Sequence, residues 1–194
     1  MIGVDRFVAN KAIDFDGWIE ARLYGVTATQ VAKAATPAGF REALAGLLDP
    51  TPIEDNDYMR FGREQEGPIG LWVKDQFGVM PNEWLISHGT EAHHLATPDG
   101  ISLSHDVISE VKTTGKDWDP MKIPIQYRRQ VQWQMHVTGT SVCVFAWMLR
   151  LDLGGIYQPG WFEPKWVEIV RDDDMIAELS VVADNLWGEV NAHR

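Results

Sequence analysis

The run Val142–Leu149 restricts the fold more than any other segment, because all eight of its residues are apolar. A strand with one face in solvent alternates apolar and polar side chains, whereas a strand covered on both faces is apolar throughout. We therefore predict that this run is the central strand of a sheet. The one cysteine, Cys143, lies in it and is expected to be a buried, unreactive thiol, which excludes a disulfide or a cysteine-based metal site within the chain.

Helix-like and strand-like segments surround this run in separate blocks. Apolar spacing and start signals predict helices at 18–24, from Thr27 or Thr29 to Ala35, at 36–48 and at 58–77. Residues 54–58 are predicted to form an acidic surface loop, and Gly67-Pro68 to break or restart the helix that follows. Segments rich in Ile, Val, Thr and Trp predict strands at 83–88, 93–97, 101–104, 107–113 and 165–170. Further helices are predicted at 124–138, closed by Gly139, and at 172–190.

The length and composition fit one mixed α/β domain over residues 1–194. Its expected parts are a helical region at 10–80, a catalytic sheet and helix at 83–170, and a C-terminal helix at 172–192. The sequence has neither a secretion signal nor an apolar run long enough to span a membrane. We therefore expect a soluble intracellular protein.

The formal net charge of −11 argues against a protein that simply coats nucleic acid, because neutralising phosphates requires Lys and Arg. It is compatible with an enzyme that handles DNA in a local groove. Acidic residues of a metal site would contribute to that charge, and bound divalent cations would reverse it locally.

Two carboxylates and a lysine are spaced for convergence in the strand region. Asp99 follows Pro98 at the end of a predicted strand, and Glu110-Val111-Lys112 comes eleven residues later. Because side chains alternate along a strand, Glu110 and Lys112 project from one face while Val111 points into the core. If the two strands pair, all three polar groups meet at one point.

Such a group suits hydrolysis of a phosphodiester. Carboxylates hold Mg²⁺, which polarises the phosphate and lowers the pKa of a bound water. Lys112 is suited to position that water or to offset charge in the transition state. The same residues also have an ordinary interpretation, since Asp99-Gly100 is a turn signal and Glu-x-Lys is common on solvated strands.

The flanking segments resemble the phage lambda exonuclease group, also described as the YqaJ-like viral recombinase family. Five motifs occur in the family's order over residues 18–148. They are Trp18–Val31, Phe61–Glu66, Ala96–Gly100, Glu110–Lys112 and Tyr127–Met135.

The resemblance implies an α/β PD-(D/E)xK nuclease core, in which a central mixed sheet is flanked by helices. It also implies an exonuclease that digests linear duplex DNA from its ends, 5′ to 3′, with Mg²⁺ and with Mn²⁺ as a substitute. The product would be a 3′ single-stranded overhang for phage recombination. The expected partners are double-stranded DNA ends and a single-strand annealing protein. The expected assembly is a homo-oligomeric ring, commonly a trimer, in the cytoplasm of a bacterial host.

Site residues follow from the same resemblance. Metal ligation is implied for Asp99, Glu110 and the main-chain carbonyl of Val111, with support from Glu66. Lys112 would act on the water nucleophile and Gln130 would complete the site. The 5′-terminal phosphate would be held by Arg22, Thr29 and Thr97. An arginine that follows the Glu-x-Lys strand in the lambda member is absent here, and Lys116 is its candidate substitute.

Several alternatives stay open at this point. Glu64 replaces Glu66 if the register differs, and Gln134 competes with Gln130. Trp118 either stacks on an exposed base or packs in the core. The pair His93-His94 is interpreted as structural, because neighbours on a strand face opposite sides.

Two other functions compete with the exonuclease. One is a site-specific or structure-selective endonuclease of the same fold, against which the predicted phosphate residues argue. The other is a non-catalytic DNA-binding or assembly protein, which would be expected to lack an acid or the lysine of the motif. Asp99, Glu110 and Lys112 are all present.

Overall fold

The computed structural model describes residues 1–50 and 55–194, and these form a mixed α/β domain. Its helices are α1 (Phe15–Ala21), α2 (Ala28–Ala34), α3 (Pro37–Leu48), α4 (Asp57–Phe77), α5 (Ile125–Thr138) and α6 (Asp173–His193). Its strands are β1 (Phe7–Asn10), β2 (Val26–Thr27), β3 (Val79–Pro81), β4 (Trp84–Ser87), β5 (His94–Ala96), β6 (Gly100–Ser102), β7 (Val107–Thr114), β8 (Val142–Asp152), β9 (Tyr157–Pro159) and β10 (Lys165–Val170).

In the described ranges the strands form two sheets. The larger has the order β10-β8-β7-β6-β3, with β9 paired to β8, and the smaller has the order β1-β4-β5-β2. In the larger sheet β7 and β8 are parallel, and the other pairs are antiparallel. The predicted central strand is confirmed, because β8 pairs with β7 on one side and with β10 on the other.

Both faces of β8 are covered by helices. Cys143, Phe145 and Trp147 pack in the core that also contains apolar residues of α5 and α6. The alternate residues Val144 and Ala146 pack against the residues of α4 on the opposite face. This arrangement explains why the run is apolar at every position, and Cys143 is a buried free thiol as expected.

The N-terminal helices begin and end at the residues that their caps favour. Thr27 caps α2 in a capping box with Gln30, so the helix starts from Thr27 and not from Thr29. Thr36 accepts a hydrogen bond from Gly39 N at the start of α3. The segment predicted to be helical up to residue 24 ends earlier, because α1 gives way to a 3₁₀ turn at Arg22–Tyr24.

The predicted break at Gly67-Pro68 is wrong, since α4 is continuous from Asp57 to Phe77. Proline in a helix removes one N–H donor and costs about 3 kcal/mol. The buried side chains Ile69 and Val73, just after Pro68, offset that cost by packing against the larger sheet. The predicted acidic loop at 54–58 begins outside the described residues, and its last two residues belong to α4.

None of the helices in the described part of the chain is both long and apolar enough to cross a membrane.

Candidate active site

Asp99 lies where the chain passes from the smaller sheet into the larger one. Its backbone N–H donates to Ser109 O at 3.0 Å, and its Oδ2 accepts from Val111 N at 2.7 Å. These two bonds fix the carboxylate against β7. Glycine suits the next position, because a Cβ on Gly100 would lie 2.4 Å from Ser109 Oγ and 3.0 Å from the backbone oxygen of Met80. The expected pairing of the two strands is present, with Gly100 opposite Ser109.

Glu110 is held by three donors on the face of β7 that meets α5. Lys112 Nζ and Gln130 Nε2 both donate to its Oε1. Gln134 Nε2 donates to its Oε2 at 2.6 Å. The two glutamines are one helical turn apart on α5, so both reach the same carboxylate. The structure therefore brings in Gln134 as well as Gln130.

The charges of this cluster do not balance. Burial, followed by the neighbouring charge of Glu110, raises the pKa of Asp99 well above its usual range. Burial acts to lower the pKa of Lys112, but the negative charges of Glu110 and Asp99 outweigh this effect. The pKa of Lys112 is therefore above its usual value, and the ammonium stays charged. The cleft is lined by four acids and three bases, which leaves a formal excess of one negative charge: Glu66, Glu83, Asp99 and Glu110 against Lys11, Arg22 and Lys112.

Glu66 lies at the edge of this cleft and Glu64 is not part of its lining. About half of the Glu66 side chain is exposed (48%), and Lys11 Nζ is 3.9 Å from its carboxylate. Partial burial raises the pKa of Glu66, and Lys11 and Lys112 act in the opposite direction. The structure thus places Glu66, and not Glu64, in the same cleft as Asp99 and Glu110.

The residues expected to hold a terminal phosphate line the same cleft of about 240 Å³. Arg22 stacks on the Trp18 ring, with its guanidinium carbon 4.3 Å from the ring centroid. Burial lowers the pKa of Arg22, and none of the ion pairs among the described residues involves it. Thr29 lies in the first turn of α2, where free N–H groups favour an anion. Thr97 lines the cleft from the segment before Asp99.

Lys116 is not brought to this cleft. It is exposed in the turn after β7, where its N–H donates to Thr114 Oγ1 at 3.0 Å. Trp118 packs beside Tyr127, Phe145 and Trp147, with ring centroids 5.0 to 6.1 Å apart, so the structure favours its packing role over base stacking.

The cleft lining includes polar or aromatic residues for which the sequence predicted no site role, among them Lys11, Trp18, Asn82 and Glu83. Asn82 Nδ2 donates to Pro98 O at 2.9 Å, and Asn82 N donates to Asp99 O at 2.9 Å. It thereby supports the segment that carries Asp99. No local pattern marks Lys11 and Asn82, which reach the cleft through contacts with distant segments, whereas Trp18 is the first residue of the motif Trp18–Val31.

The interpretation of His93-His94 as residues that face opposite sides is wrong. Strand β5 begins at His94, so His93 precedes it and the alternation of a strand does not apply. Both rings contact the same atom, Asp184 Oδ1 on α6, at 2.9 Å and 3.0 Å.

Residues 17–141 match the family profile of the YqaJ-like viral recombinase domain. The alkaline exonuclease LHK-Exo from Laribacter hongkongensis is similar in structure, with a TM-score of 0.73, 27% sequence identity, and coverage of 90% of this chain and 92% of that chain. Its complex with dAMP gives a TM-score of 0.71, also at 27% identity and with coverage of 90% and 92%.

A phage-related exonuclease from Haemophilus somnus 129PT has a TM-score of 0.65 at 14% identity, covering 87% of this chain and 94% of that chain, which is a likeness of fold alone. A search of curated protein sequences finds no match. The structural likenesses confirm the predicted fold class, a mixed sheet flanked by helices.

Proposed function

This chain belongs to the family of YqaJ-like viral recombinase domains, and from that premise we propose that it is a metal-dependent exonuclease that degrades linear duplex DNA from its ends. The observation that supports this most directly is the convergence of Asp99, Glu110 and Lys112 in one cleft. The carboxylates are fixed by backbone and glutamine hydrogen bonds, which is the preorganisation that hydrolysis of a charged ester requires.

The donor set fits a hard divalent cation, Mg²⁺ with Mn²⁺ as a substitute. Burial and the charge of Glu110 raise the pKa of Asp99 even though Lys112 acts in the opposite direction, and a bound cation would stabilise the ionised carboxylate further. Asp99, Glu110 and Glu66, with the main-chain carbonyl of Val111, would hold the ion through oxygen atoms. When bound, the ion would polarise the scissile phosphate and lower the pKa of a water molecule.

The protein's own residues divide the remaining work. Lys112 stays protonated, so it donates hydrogen bonds and offsets negative charge as water attacks the phosphorus. Gln130 and Gln134 keep Glu110 in one orientation, because each donates to a different carboxylate oxygen. Asp99 is oriented by the Val111 N–H in the same way.

We further propose that the enzyme starts at a 5′ end and leaves a 3′ overhang. Arg22 supports this, since a half-buried guanidinium without a carboxylate partner in the described ranges suits a phosphate. Thr29 and Thr97 would contribute further donors from the same cleft. Lys116 is exposed and does not line this cleft.

The proposed assembly is a homo-oligomeric ring, a trimer, that works with a single-strand annealing protein in phage recombination. The β8–β9 region presents the exposed apolar residues Leu151, Leu153, Ile156 and Phe162, which is the kind of surface that subunit contacts cover. Light scattering coupled to size-exclusion chromatography would measure the mass, and a monomer at all concentrations would refute the ring.

Digestion of an end-labelled linear duplex with Mg²⁺, with and without chelator, tests the function and its polarity together. We expect release of nucleotides from 5′ ends that stops on chelation. A sealed circle is the control, and rapid cutting of the circle would identify an endonuclease instead.

The variant Lys112→Ala is expected to abolish nucleotide release while the protein stays folded. Lys122→Ala is a suitable control, since that lysine side chain is 81% exposed and lies outside the cleft. Equal activity of the two variants would remove Lys112 from the mechanism.

A further inference from the structure

A second cluster of ligand-type side chains lies outside the cleft, between β5 and α6. His93 Nε2 and His94 Nε2 lie 2.9 Å and 3.0 Å from Asp184 Oδ1. Among the described residues, these three form a group whose ligand atoms all fall within 4.8 Å of one another. None of the three lines the catalytic cleft.

We propose that His93, His94 and Asp184 form a site for a transition-metal ion of the Zn²⁺ class, distinct from the catalytic Mg²⁺ site. Two imidazoles and one carboxylate favour Zn²⁺ over Mg²⁺, because Mg²⁺ prefers oxygen ligands alone. Ligand atoms around a tetrahedral Zn²⁺ lie about 3.3 Å apart when each bond is about 2.0 Å. The two N···O separations, 2.9 Å and 3.0 Å, are a few tenths of an ångström shorter than this value and would widen when an ion binds.

The surroundings of His94 resemble the support that metal-binding histidines usually have. Its second ring nitrogen, Nδ1, lies 3.0 Å from His136 Nε2, so the ring is held at both nitrogens. Such a partner fixes the orientation of the ligand and the position of its proton. Burial lowers the pKa of His94, which favours the neutral ring that a metal requires.

His93 is also held in place. Its ring stacks on Trp187 of α6, with an interplanar angle of 11° and centroids 6.0 Å apart. Asp184, by contrast, has a side chain that is 58% exposed. The group thus has two oriented nitrogen ligands and one ligand open to solvent, which gives an ion a route of entry and leaves a fourth position for water.

A neighbouring group of His88, His94 and His136 is a poorer candidate, although its ligand atoms are equally close. It has no carboxylate, and the positive charges of Arg6 and Arg171 act on its rings. Cations repel a metal ion, so the group that contains Asp184 is the one that the charges favour.

The proposed site would connect α6 to the strand that leads to Asp99. His94 is the first residue of β5, and its neighbour Leu95 accepts a hydrogen bond from Trp133 Nε1 of α5 at 3.0 Å. An ion at this position would join α6 to a segment that α5 already holds. The expected effect is on stability, and it does not depend on the proposed nuclease activity.

Zn²⁺ titration by calorimetry tests the proposal in an Asp99→Asn background, which weakens the catalytic metal site. We expect one Zn²⁺ per chain and a Tm increase on the order of 5–10 °C when Zn²⁺ is about a hundredfold above Kd. Adding Asp184→Asn or His93→Gln should lower the Zn²⁺ affinity by at least about tenfold. Circular dichroism verifies that each variant is folded.

Glu178→Gln is the matched control, because Glu178 is an exposed acid on the same helix and is absent from the group. It should leave Zn²⁺ binding unchanged. Visible absorption of bound Co²⁺ would show tetrahedral coordination that disappears in Asp184→Asn. The proposal is overturned if the Asp99→Asn protein binds no Zn²⁺, or if Asp184→Asn and Glu178→Gln bind it equally well.

Discussion

Removing the charge of Lys112 should separate its contribution to stability from its contribution to catalysis. Its ammonium donates to Glu110 and also lowers the energy of ionised Asp99. Lys112→Met keeps an aliphatic stem of similar length near Tyr127 but leaves the two carboxylates without their cation. The variant is therefore expected to be folded, less stable without metal, and inactive.

The size of the stability loss follows from burial. Only 2% of the Glu110 side chain and 25% of the Lys112 side chain are exposed. Removing one partner of a buried pair costs about 3–5 kcal/mol, and the partial exposure of the lysine favours the lower end, about 3 kcal/mol. For a domain of this size that loss corresponds to a Tm decrease of about 6–12 °C.

Thermal unfolding by circular dichroism, in chelator and in Mg²⁺, would measure both effects. Mg²⁺ should stabilise Lys112→Met more than the wild type, because the divalent ion replaces the missing charge next to the carboxylates. Lys122→Ala should melt with the wild type in both buffers. If chelated Lys112→Met melts with the wild type, or Mg²⁺ stabilises both proteins equally, the electrostatic account of this lysine is refuted.

Three further predictions concern its neighbours. Asp99→Asn should stabilise the metal-free protein at about pH 8, because the raised pKa of Asp99 shows that its ionised carboxylate is unfavourable in the folded state. The gain in the free energy of unfolding should shrink as the pH falls through the raised pKa of Asp99 toward about 4, where the wild-type carboxyl is neutral. Urea unfolding in chelator would measure this gain. Gln134→Leu, but not the exposed Gln126→Leu, should raise the Mg²⁺ concentration needed for activity by about 10–100-fold, and an unchanged Mg²⁺ dependence would argue against its support of Glu110. Arg22→Lys should reduce the preference for 5′-phosphorylated over 5′-hydroxyl ends, and an unchanged ratio of rates would exclude Arg22 from end recognition.

Much of the fold and part of the site were predictable because they depend on short-range patterns. Alternation along β7 places Glu110 and Lys112 on one face, and the short connection to β6 brings Asp99 beside them. The glutamines of α5 were predictable as a pair from their spacing by one turn. The predicted break at Pro68 was wrong because tertiary packing of α4 outweighs a local helix signal.

The remaining features depend on long-range contacts that no local pattern encodes. Asp184 is about 90 residues from His93 and His94 in the sequence. This separation is far longer than the repeat of two residues in a strand or about 3.6 residues in a helix, from which neighbouring side chains can be predicted. Strands such as β2 and β3 are two and three residues long, too short for alternation to be recognised. The contact between Lys11 and Glu66 is also long-range, because Lys11 follows β1, which is positioned by its pairing with β4.

The position of Asp99 shows why these short strands matter to the site. The chain passes between the two sheets at residues 81–84, from β3 to β4, and again at 96–100, from β5 to β6. The two passages lie side by side, since Asn82 donates to both Pro98 O and Asp99 O at 2.9 Å. Asp99 is thus fixed by β7 on one side and by the β3–β4 passage on the other. Burial and the charge of Glu110 raise the pKa of Asp99, so this carboxylate needs a rigid support to stay beside Glu110, and the passage after β3, a strand that the sequence did not predict, supplies part of it.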